Sequence, residues 1–279
     1  MTRPIFRALN FWKIMERQFR FRNSVISYQR FGNGRQPVIC FHGYGEEAGA
    51  FAFLEKAAGD RFSFFAFDLP FHGKTEWNED IPFSTGELLE IVACEKYDKK
   101  PFLMGFSLGG RVALSLYETA PEKFCKLILL APDGLKMNFW YWFSTQTLMG
   151  RKTFSFTMKH PGWFFGFLKL MNKLKLVNAS VFKFVKYYID NEEMRMLLYK
   201  RWIGLRKIKP NLKKIKKAVK EKQTPIRLVY GQHDRIILPV VGERFRKGIE
   251  DNCTITIIAA GHQVLHEKHE EKIVPLILD

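Results

Sequence analysis

Residues 101–114 read PFLMGFSLGGRVAL, and within this stretch Gly105–Gly109 form the sequence GFSLG. An apolar, strand-like run precedes the motif and a helix-like segment follows it. A serine with a glycine two residues away on each side can occupy a turn too sharp for larger neighbours, and such a turn raises the hydroxyl above the edge of a sheet. The stretch therefore predicts a nucleophilic serine, Ser107, at the junction of a buried strand and a helix.

Short apolar runs recur along the chain and are typical of strands buried on both faces. They lie at residues 37–41, 62–67, 101–104, 127–131, 226–230 and 254–258, and residues 24–31 (SVISYQRF) alternate as a strand does. Helix-like segments alternate with them, at residues 47–58, 84–97, 108–120 and 239–249. This alternation predicts an α/β fold, with a mostly parallel sheet flanked by helices and with ligands bound at the carboxyl ends of the strands.

Residues 135–224, which we call the insert, interrupt this alternation and carry the excess charge of the chain. The formal net charge is +17, and the insert holds 21 Lys/Arg against 4 Asp/Glu, so the remaining residues are neutral as a whole. The insert is rich in aromatic residues, and its patterns favour helices over 179–189, 192–203 and 207–222. The last of these would have one apolar face and one cationic face.

Four further motifs follow other predicted strands. They are HGYG at His42–Gly45, DLPFHG at Asp68–Gly73, GQHD at Gly231–Asp234 and GH at Gly261–His262. Together with GFSLG, their order and spacing closely resemble the α/β-hydrolase superfamily over about 190 residues. The resemblance implies the α/β-hydrolase fold, with a core formed by residues 1–134 and 225–279 and with residues 135–224 as a helical, basic, aromatic-rich cap.

The resemblance also implies a role for each motif. His262 would be the general base that takes the proton of Ser107, and Asp234 would hold the imidazole in the required tautomer and stabilise its charge. The backbone N–H groups of Tyr44 and Leu108 would form the oxyanion hole. The chain order of serine, aspartate and histidine fits this fold.

Other residues compete for these roles. Asp133, in the segment APDG after an earlier strand, lies where some family members place the acid, although Asp234 is favoured. His266 and His269 follow the same strand as the favoured histidine, but we expect them on the surface of a helix. Asp68 is expected to stabilise its own turn.

The implied reaction is hydrolysis of a carboxylic ester or thioester through an acyl-enzyme. The aromatic residues of the insert suggest a pocket for an apolar acyl or aromatic substrate. A second hypothesis is a lyase or carbon–carbon hydrolase, because Gly105–Arg111 also resembles the menaquinone-pathway synthase that eliminates pyruvate. Arg111 would then bind a substrate carboxylate, whereas Phe106, the other candidate substrate-binding residue, departs from that enzyme's tyrosine. A third hypothesis is a non-catalytic binding protein on a hydrolase scaffold.

No nucleotide-binding or zinc-binding spacing occurs, so neither a cofactor nor a metal is expected. The charge of the insert favours either a solvated surface or an anionic partner, namely a membrane surface, a carrier protein or a coenzyme A moiety. Residues 207–222, with Trp202 nearby, suit a membrane surface. No recognition motif for nucleic acid accompanies the charge.

Without a long apolar run or a secretory signal, we expect a cytoplasmic protein, free or peripheral at the membrane surface.

Overall fold

The computed structural model of the chain describes residues 15–173 and 189–278. Eight strands form one sheet in the order β1-β2-β4-β3-β5-β6-β7-β8. The pairs β1–β2 and β2–β4 are antiparallel, and every other pair is parallel. The strands are β1 Met15–Phe21, β2 Ser24–Phe31, β3 Gln36–Phe41, β4 Phe62–Phe67, β5 Phe102–Phe106, β6 Lys126–Leu130, β7 Ile226–Gly231 and β8 Cys253–Ile258. The predicted α/β fold with a mostly parallel sheet is confirmed.

Helices flank this sheet and also fill the described part of the insert. They are α1 Leu54–Ala58, α2 Thr85–Ala93, α3 Leu108–Thr119, α4 Phe139–Gln146, α5 Leu148–Lys159, α6 Gly162–Lys173, α7 Glu192–Gly204, α8 Leu212–Lys222, α9 Pro239–Arg246 and α10 Glu270–Leu278. The helix predicted over 179–189 lies outside the described residues except for its last residue. No helix within the described ranges is long and apolar enough to cross a membrane.

The central strands explain why their sequences are continuous apolar runs. All six residues of β4 and all five of β6 are buried, because both faces of these strands are covered. The parallel strands β3 to β8 run in the same direction. Their carboxyl ends therefore meet at one edge of the sheet, and the loops that carry the predicted motifs begin there.

The expectation that the apolar face of residues 207–222 meets a membrane surface is wrong. The apolar side chains of α8, Ile215 and Val219, are fully buried in the main core. The start of this helix is also held against α3, since the Asn211 N–H donates to Glu118 Oε2 at 2.7 Å. The apolar face of α8 thus packs on the body of the protein and is not available to a bilayer.

Trp202, the second part of that expectation, packs against other aromatic residues of the insert. Its ring lies 5.3 Å from that of Tyr141 and 5.4 Å from that of Phe154, between ring centroids. It borders a small apolar cluster formed by Phe154, Met158, Ile189 and Ile203, which is separate from the main core. The inner faces of α5 and α7 therefore pack on each other within the insert.

Candidate active site

The turn between β5 and α3 holds Ser107 in a conformation that few side chains adopt. Ser107 has φ 50° and ψ −112° and immediately precedes the first residue of α3. A Cβ added to Gly105 would lie 2.4 Å from the Gly109 carbonyl oxygen, and a Cβ added to Gly109 would lie 1.8 Å from the Phe41 carbonyl oxygen. Both glycines are therefore required by close backbone contacts, as the motif predicts. The turn leaves Ser107 partly exposed at the carboxyl edge of the sheet.

The structure brings Ser107, His262 and Asp234 together although they are far apart in the chain. Ser107 Oγ lies 3.0 Å from His262 Nε2, and Asp234 Oδ2 lies 2.8 Å from His262 Nδ1. The Asp234 side chain is fully buried, whereas the His262 side chain keeps 19% of its surface exposed. A hydroxyl, an imidazole and a carboxylate thus form one continuous line of hydrogen bonds that ends at solvent.

Backbone contacts fix the position of the carboxylate. Asp234 Oδ1 accepts hydrogen bonds from the N–H groups of Ile236 and Ile237, at 2.7 and 2.9 Å. The loops after β7 and β8 also touch directly, because a Cβ on Gly231 would lie 1.9 Å from the Gly261 carbonyl oxygen. This close approach places the aspartate loop beside the histidine loop.

The two candidate oxyanion donors lie on adjacent segments. Leu108 begins α3, so its N–H belongs to the helix N-terminus, where backbone donors have no partner within the helix. Tyr44 follows β3, and the first turn of α3 is pressed against the end of that strand at Gly109. This arrangement is compatible with two N–H groups acting near Ser107 Oγ. Their role in binding an oxyanion stays a prediction.

Phe106 lies behind the histidine. The side chain is buried, and its ring centroid lies 5.4 Å from that of His262. A Cβ on Gly43 would approach the same ring to 2.9 Å. Phe106 thus contacts both the imidazole and the loop after β3, and a direct contact with substrate stays a prediction.

Arg111 and Asp133, both singled out from the sequence, are paired with each other. Arg111 Nη2 donates to Asp133 Oδ2, and the guanidinium lies over the ring of Tyr141 at 4.4 Å from its centroid. The other carboxylate oxygen of Asp133 accepts from the Gly134 N–H at 2.7 Å. Asp133 is therefore engaged away from His262, and the acid next to the imidazole is Asp234.

Asp68 holds a turn, as expected. Its two carboxylate oxygens accept from the N–H groups of Ala48 and Lys74, at 2.6 and 3.0 Å. The neighbouring His42 is fully buried, and its Nε2 accepts from the Leu69 N–H at 3.1 Å. Its Nδ1 lies 2.8 Å from the Gly43 carbonyl oxygen, so the neutral ring with a hydrogen on Nδ1 satisfies both contacts.

The remaining histidines of the last loop lie apart from this arrangement. His266 is exposed and its ring accepts from the Lys268 N–H at 3.2 Å. His269 ends a short 3-10 turn, Glu267–His269, rather than lying on the expected α-helix. Neither hydrogen-bonds to Ser107.

Arg201, on α7 of the insert, contacts the site and has no counterpart among the sequence predictions. Its guanidinium carbon lies 5.2 Å from the ring centroid of Tyr44, and its Nε donates to the Phe71 carbonyl oxygen at 2.9 Å. The side chain is buried between the insert and the loops after β3 and β4. No motif marks this residue, because its partners are more than a hundred positions away in the chain.

Comparisons with known proteins identify the fold family. The profile of the α/β-hydrolase fold family matches residues 36–269. An uncharacterized hydrolase of Bacillus subtilis, YugF, is 25% identical over 260 residues, which cover 91% of this chain and 93% of that protein. A pimeloyl-(acyl-carrier protein) methyl ester esterase of Wigglesworthia glossinidia brevipalpis is 27% identical over 242 residues, 83% of this chain and 88% of that protein.

A solved structure supports the fold independently. The serine hydrolase CarC, involved in carbazole degradation, superposes with a TM-score of 0.64 at 21% sequence identity, covering 95% of this chain and 99% of that one. The family profile spans most of the chain, and strands β3 to β8 and the turn at Ser107 fall within it. The chain therefore belongs to the α/β-hydrolase fold family.

Proposed function

We propose that the chain is a serine hydrolase that cleaves a carboxylic ester or thioester of an apolar acyl or aromatic substrate through an acyl-enzyme on Ser107. The observation that carries this proposal is the pair of contacts at the two ring nitrogens of His262. The ionised Asp234 carboxylate can only accept hydrogen bonds, so Nδ1 carries the hydrogen of the neutral ring. Nε2 is then free to accept the proton of Ser107.

The reaction follows from this arrangement. Ser107 Oγ attacks the carbonyl carbon of the substrate while its proton passes to His262 Nε2. The carbonyl oxygen becomes negative, and the N–H groups of Tyr44 and Leu108 stabilise it, each by about 3 kcal/mol. The imidazolium then returns the proton to the departing alcohol or thiol.

Deacylation uses the same groups with water as the nucleophile. His262 takes a proton from the water as its oxygen attacks the acyl carbon bound to Ser107. The second tetrahedral intermediate collapses, the carboxylic acid leaves, and Ser107 Oγ recovers its proton from the imidazolium. Asp234 keeps its charge throughout and stabilises the imidazolium.

The relatives support the reaction class. One is a hydrolase and another is an esterase by name, and both match most of this chain. The lyase hypothesis loses its main support because the charge of Arg111 is paired with Asp133. The alignment of the serine, imidazole and carboxylate at hydrogen-bond distances also disfavours a non-catalytic scaffold, because binding alone does not require it.

Replacing the nucleophile tests the proposal. Ser107→Ala should lower kcat for p-nitrophenyl acetate and butyrate by about 10⁶-fold, since removing the serine of such a relay costs about that much. A fluorophosphonate probe should label the wild type and not the variant. The matched control is Ser115→Ala, which changes another serine of α3 that is buried away from His262.

The control variant should keep wild-type turnover and labelling. Ester hydrolysis that survives in Ser107→Ala, or labelling that is equal in both proteins, would contradict the assignment of the nucleophile. A chain that folds, binds an apolar ester and never turns it over would instead support the non-catalytic hypothesis.

A further inference from the structure

Helices α5 and α6 present an apolar stripe to solvent. Met149 and Phe156 on α5 are 72% and 54% exposed, and Trp163, Phe167 and Leu170 on α6 are 45%, 48% and 53% exposed. The spacings within each helix are three, four or seven residues, which place these side chains on one face. The rings of Phe156 and Trp163 lie 6.5 Å apart, so the stripe continues from one helix to the other.

Lysines border this stripe. Lys152 and Lys159 on α5 share the spacing of its apolar residues, and Lys169 and Lys173 lie on the exposed side of α6. The sequence contains no Asp or Glu from residue 135 to residue 189. We call these five apolar and four cationic side chains the α5–α6 face.

The opposite sides of the two helices already have partners. Phe154 and Met158 of α5 are buried in the small apolar cluster of the insert, and Leu168 of α6 is also buried. Arg195 of α7 also donates to the Met158 carbonyl oxygen at 2.6 Å and so holds the end of α5. Within residues 135–173 and 189–224 of the insert, the packing of α5 and α6 therefore uses the opposite sides of these helices, and large contiguous apolar patches on a protein surface usually mark an interaction site.

The charge of the face selects its occupant. A second copy of the chain, packed symmetrically on this face, would bring its lysines together with no carboxylate from the same segment to pair them. An anionic lipid surface complements the charge instead. Tryptophan and phenylalanine prefer the boundary between headgroups and acyl chains, and lysines reach from there to anionic headgroups.

We propose that the α5–α6 face docks on the surface of an anionic lipid bilayer. The aromatic side chains of α5 and α6 enter the boundary region, and the lysines contact the headgroups. This surface differs from residues 207–222, whose apolar side chains are buried in the main core. The proposal does not depend on the reaction at Ser107, so the two can fail separately.

Vesicle co-sedimentation of the full chain tests the charge. Wild type should bind phosphatidylcholine vesicles that contain phosphatidylglycerol much more strongly than vesicles of phosphatidylcholine alone. K152Q/K159Q should lower the partition coefficient about 30-fold, because each lysine near an anionic surface is worth about 1 kcal/mol. The matched control K213Q/K220Q removes the same charge from exposed positions of α8 and should bind as wild type does.

The apolar contribution needs its own variant. W163S/F167S should weaken binding at both low and high salt, whereas the lysine variant should lose binding mainly at low salt, where charges are least screened. Far-UV circular dichroism and the thermal midpoint of every variant monitor folding, so that this control does not depend on the reaction at Ser107.

Four results would overturn the proposal. Wild type could bind neutral and anionic vesicles equally. The control variant could lose as much binding as K152Q/K159Q, which would mean that net charge alone acts. W163S/F167S could turn a dimer into a monomer in gel filtration, which would assign the face to a second copy. Binding of an acidic acyl carrier protein that K152Q/K159Q abolishes, without any vesicle binding, would assign it to a protein partner.

Discussion

Two aspartates illustrate how single contacts distinguish residues that look equivalent in the sequence. Asp133 follows β6 and Asp234 follows β7, and these strands are neighbours in the sheet. Arg111 occupies the carboxylate of Asp133, whereas Asp234 faces the imidazole of His262. Burial opposes the charge of Arg111, but the Asp133 carboxylate and the Tyr141 side chain together outweigh burial, so the pKa of Arg111 lies above its ordinary value. Asp133 therefore has a permanent cationic partner.

Asparagine at each position should separate the two roles. In Asp234→Asn the side-chain oxygen can still accept from the loop N–H groups, but the new NH₂ donates to His262 Nδ1. The imidazole hydrogen then moves to Nε2, which can no longer accept the Ser107 proton. We expect kcat for a p-nitrophenyl ester to fall about 10⁴-fold with little change in the thermal midpoint.

Asp133→Asn is the comparison. It keeps a hydrogen bond to Arg111 but leaves that buried guanidinium without a negative partner, so the loss should fall on stability and not on kcat. Equal losses of kcat in the two variants, or a larger loss in Asp133→Asn, would show that the acid had been assigned to the wrong strand.

At the scale of elements, the junction of β5 and α3 limits which sequences the fold accepts. In Gly109→Ala the added Cβ would meet the Phe41 carbonyl oxygen, a backbone atom that cannot move without shifting β3. We expect the free energy of unfolding to fall by about 3 kcal/mol or more. Urea denaturation followed by circular dichroism measures it.

A second glycine provides the control. Gly166 lies inside α6, and a Cβ added there meets nothing within 4 Å. Alanine is a better helix former, so Gly166→Ala should keep or raise stability, by up to about 1 kcal/mol. A loss in Gly166→Ala as large as in Gly109→Ala would mean that close packing at the turn is not the cause.

Elements were predictable where one local pattern determined them. The runs of β4 and β6 are apolar because both faces are covered, and the amphipathic spacing of α8 reflects its burial on the core. Strand β1 was missed because it is largely exposed at the edge of the sheet and its sequence, MERQFRF, contains no apolar run. The predicted helix 47–58 is split into a 3-10 turn, Ala48–Phe51, and α1.

The site was predictable to the same degree. Ser107, Asp234 and His262 each lie in a short motif after a strand, so local sequence locates them. The contacts of Arg111 and Arg201 depend on side chains that only the folded chain brings close, such as Asp133 and Tyr44. No local pattern marks such contacts.

For the whole molecule, the contact between the neutral body and the cationic insert places the buried charge of Arg201 next to the site. Arg201 of the insert lies close to His42 and His72, two buried histidines whose rings are 5.1 Å apart. Burial lowers the pKa of His42 to about 4 and that of His72 to about 2, and the Arg201 charge contributes in the same direction. Both rings are therefore neutral in the folded protein at neutral and mildly acidic pH.

This neutrality links stability to pH. Below about pH 6.5 the unfolded chain binds protons on both histidines, whereas folded His42 does so only near pH 4 and His72 lower still. The stabilisation is thus complete above pH 6.5 and declines as pH falls, by up to about 1.4 kcal/mol per pH unit for each ring. His72→Asn removes one of the two rings, so the slope of unfolding free energy between about pH 6 and pH 4 should decrease by about that amount.

Urea denaturation at several pH values measures the free energy of unfolding of both proteins. The value above pH 7 is the baseline for each protein, so a general loss of stability in His72→Asn does not affect the slope. Imidazole NMR signals of the wild type should also keep the neutral form for His72 throughout that range. Identical slopes in the two proteins, or an NMR titration of His72 near pH 6, would mean that this ring is accessible to protons in the folded state. The packing of the insert, through Arg201, against the loops after β3 and β4 would then be looser than the contacts at Tyr44 and Phe71 require.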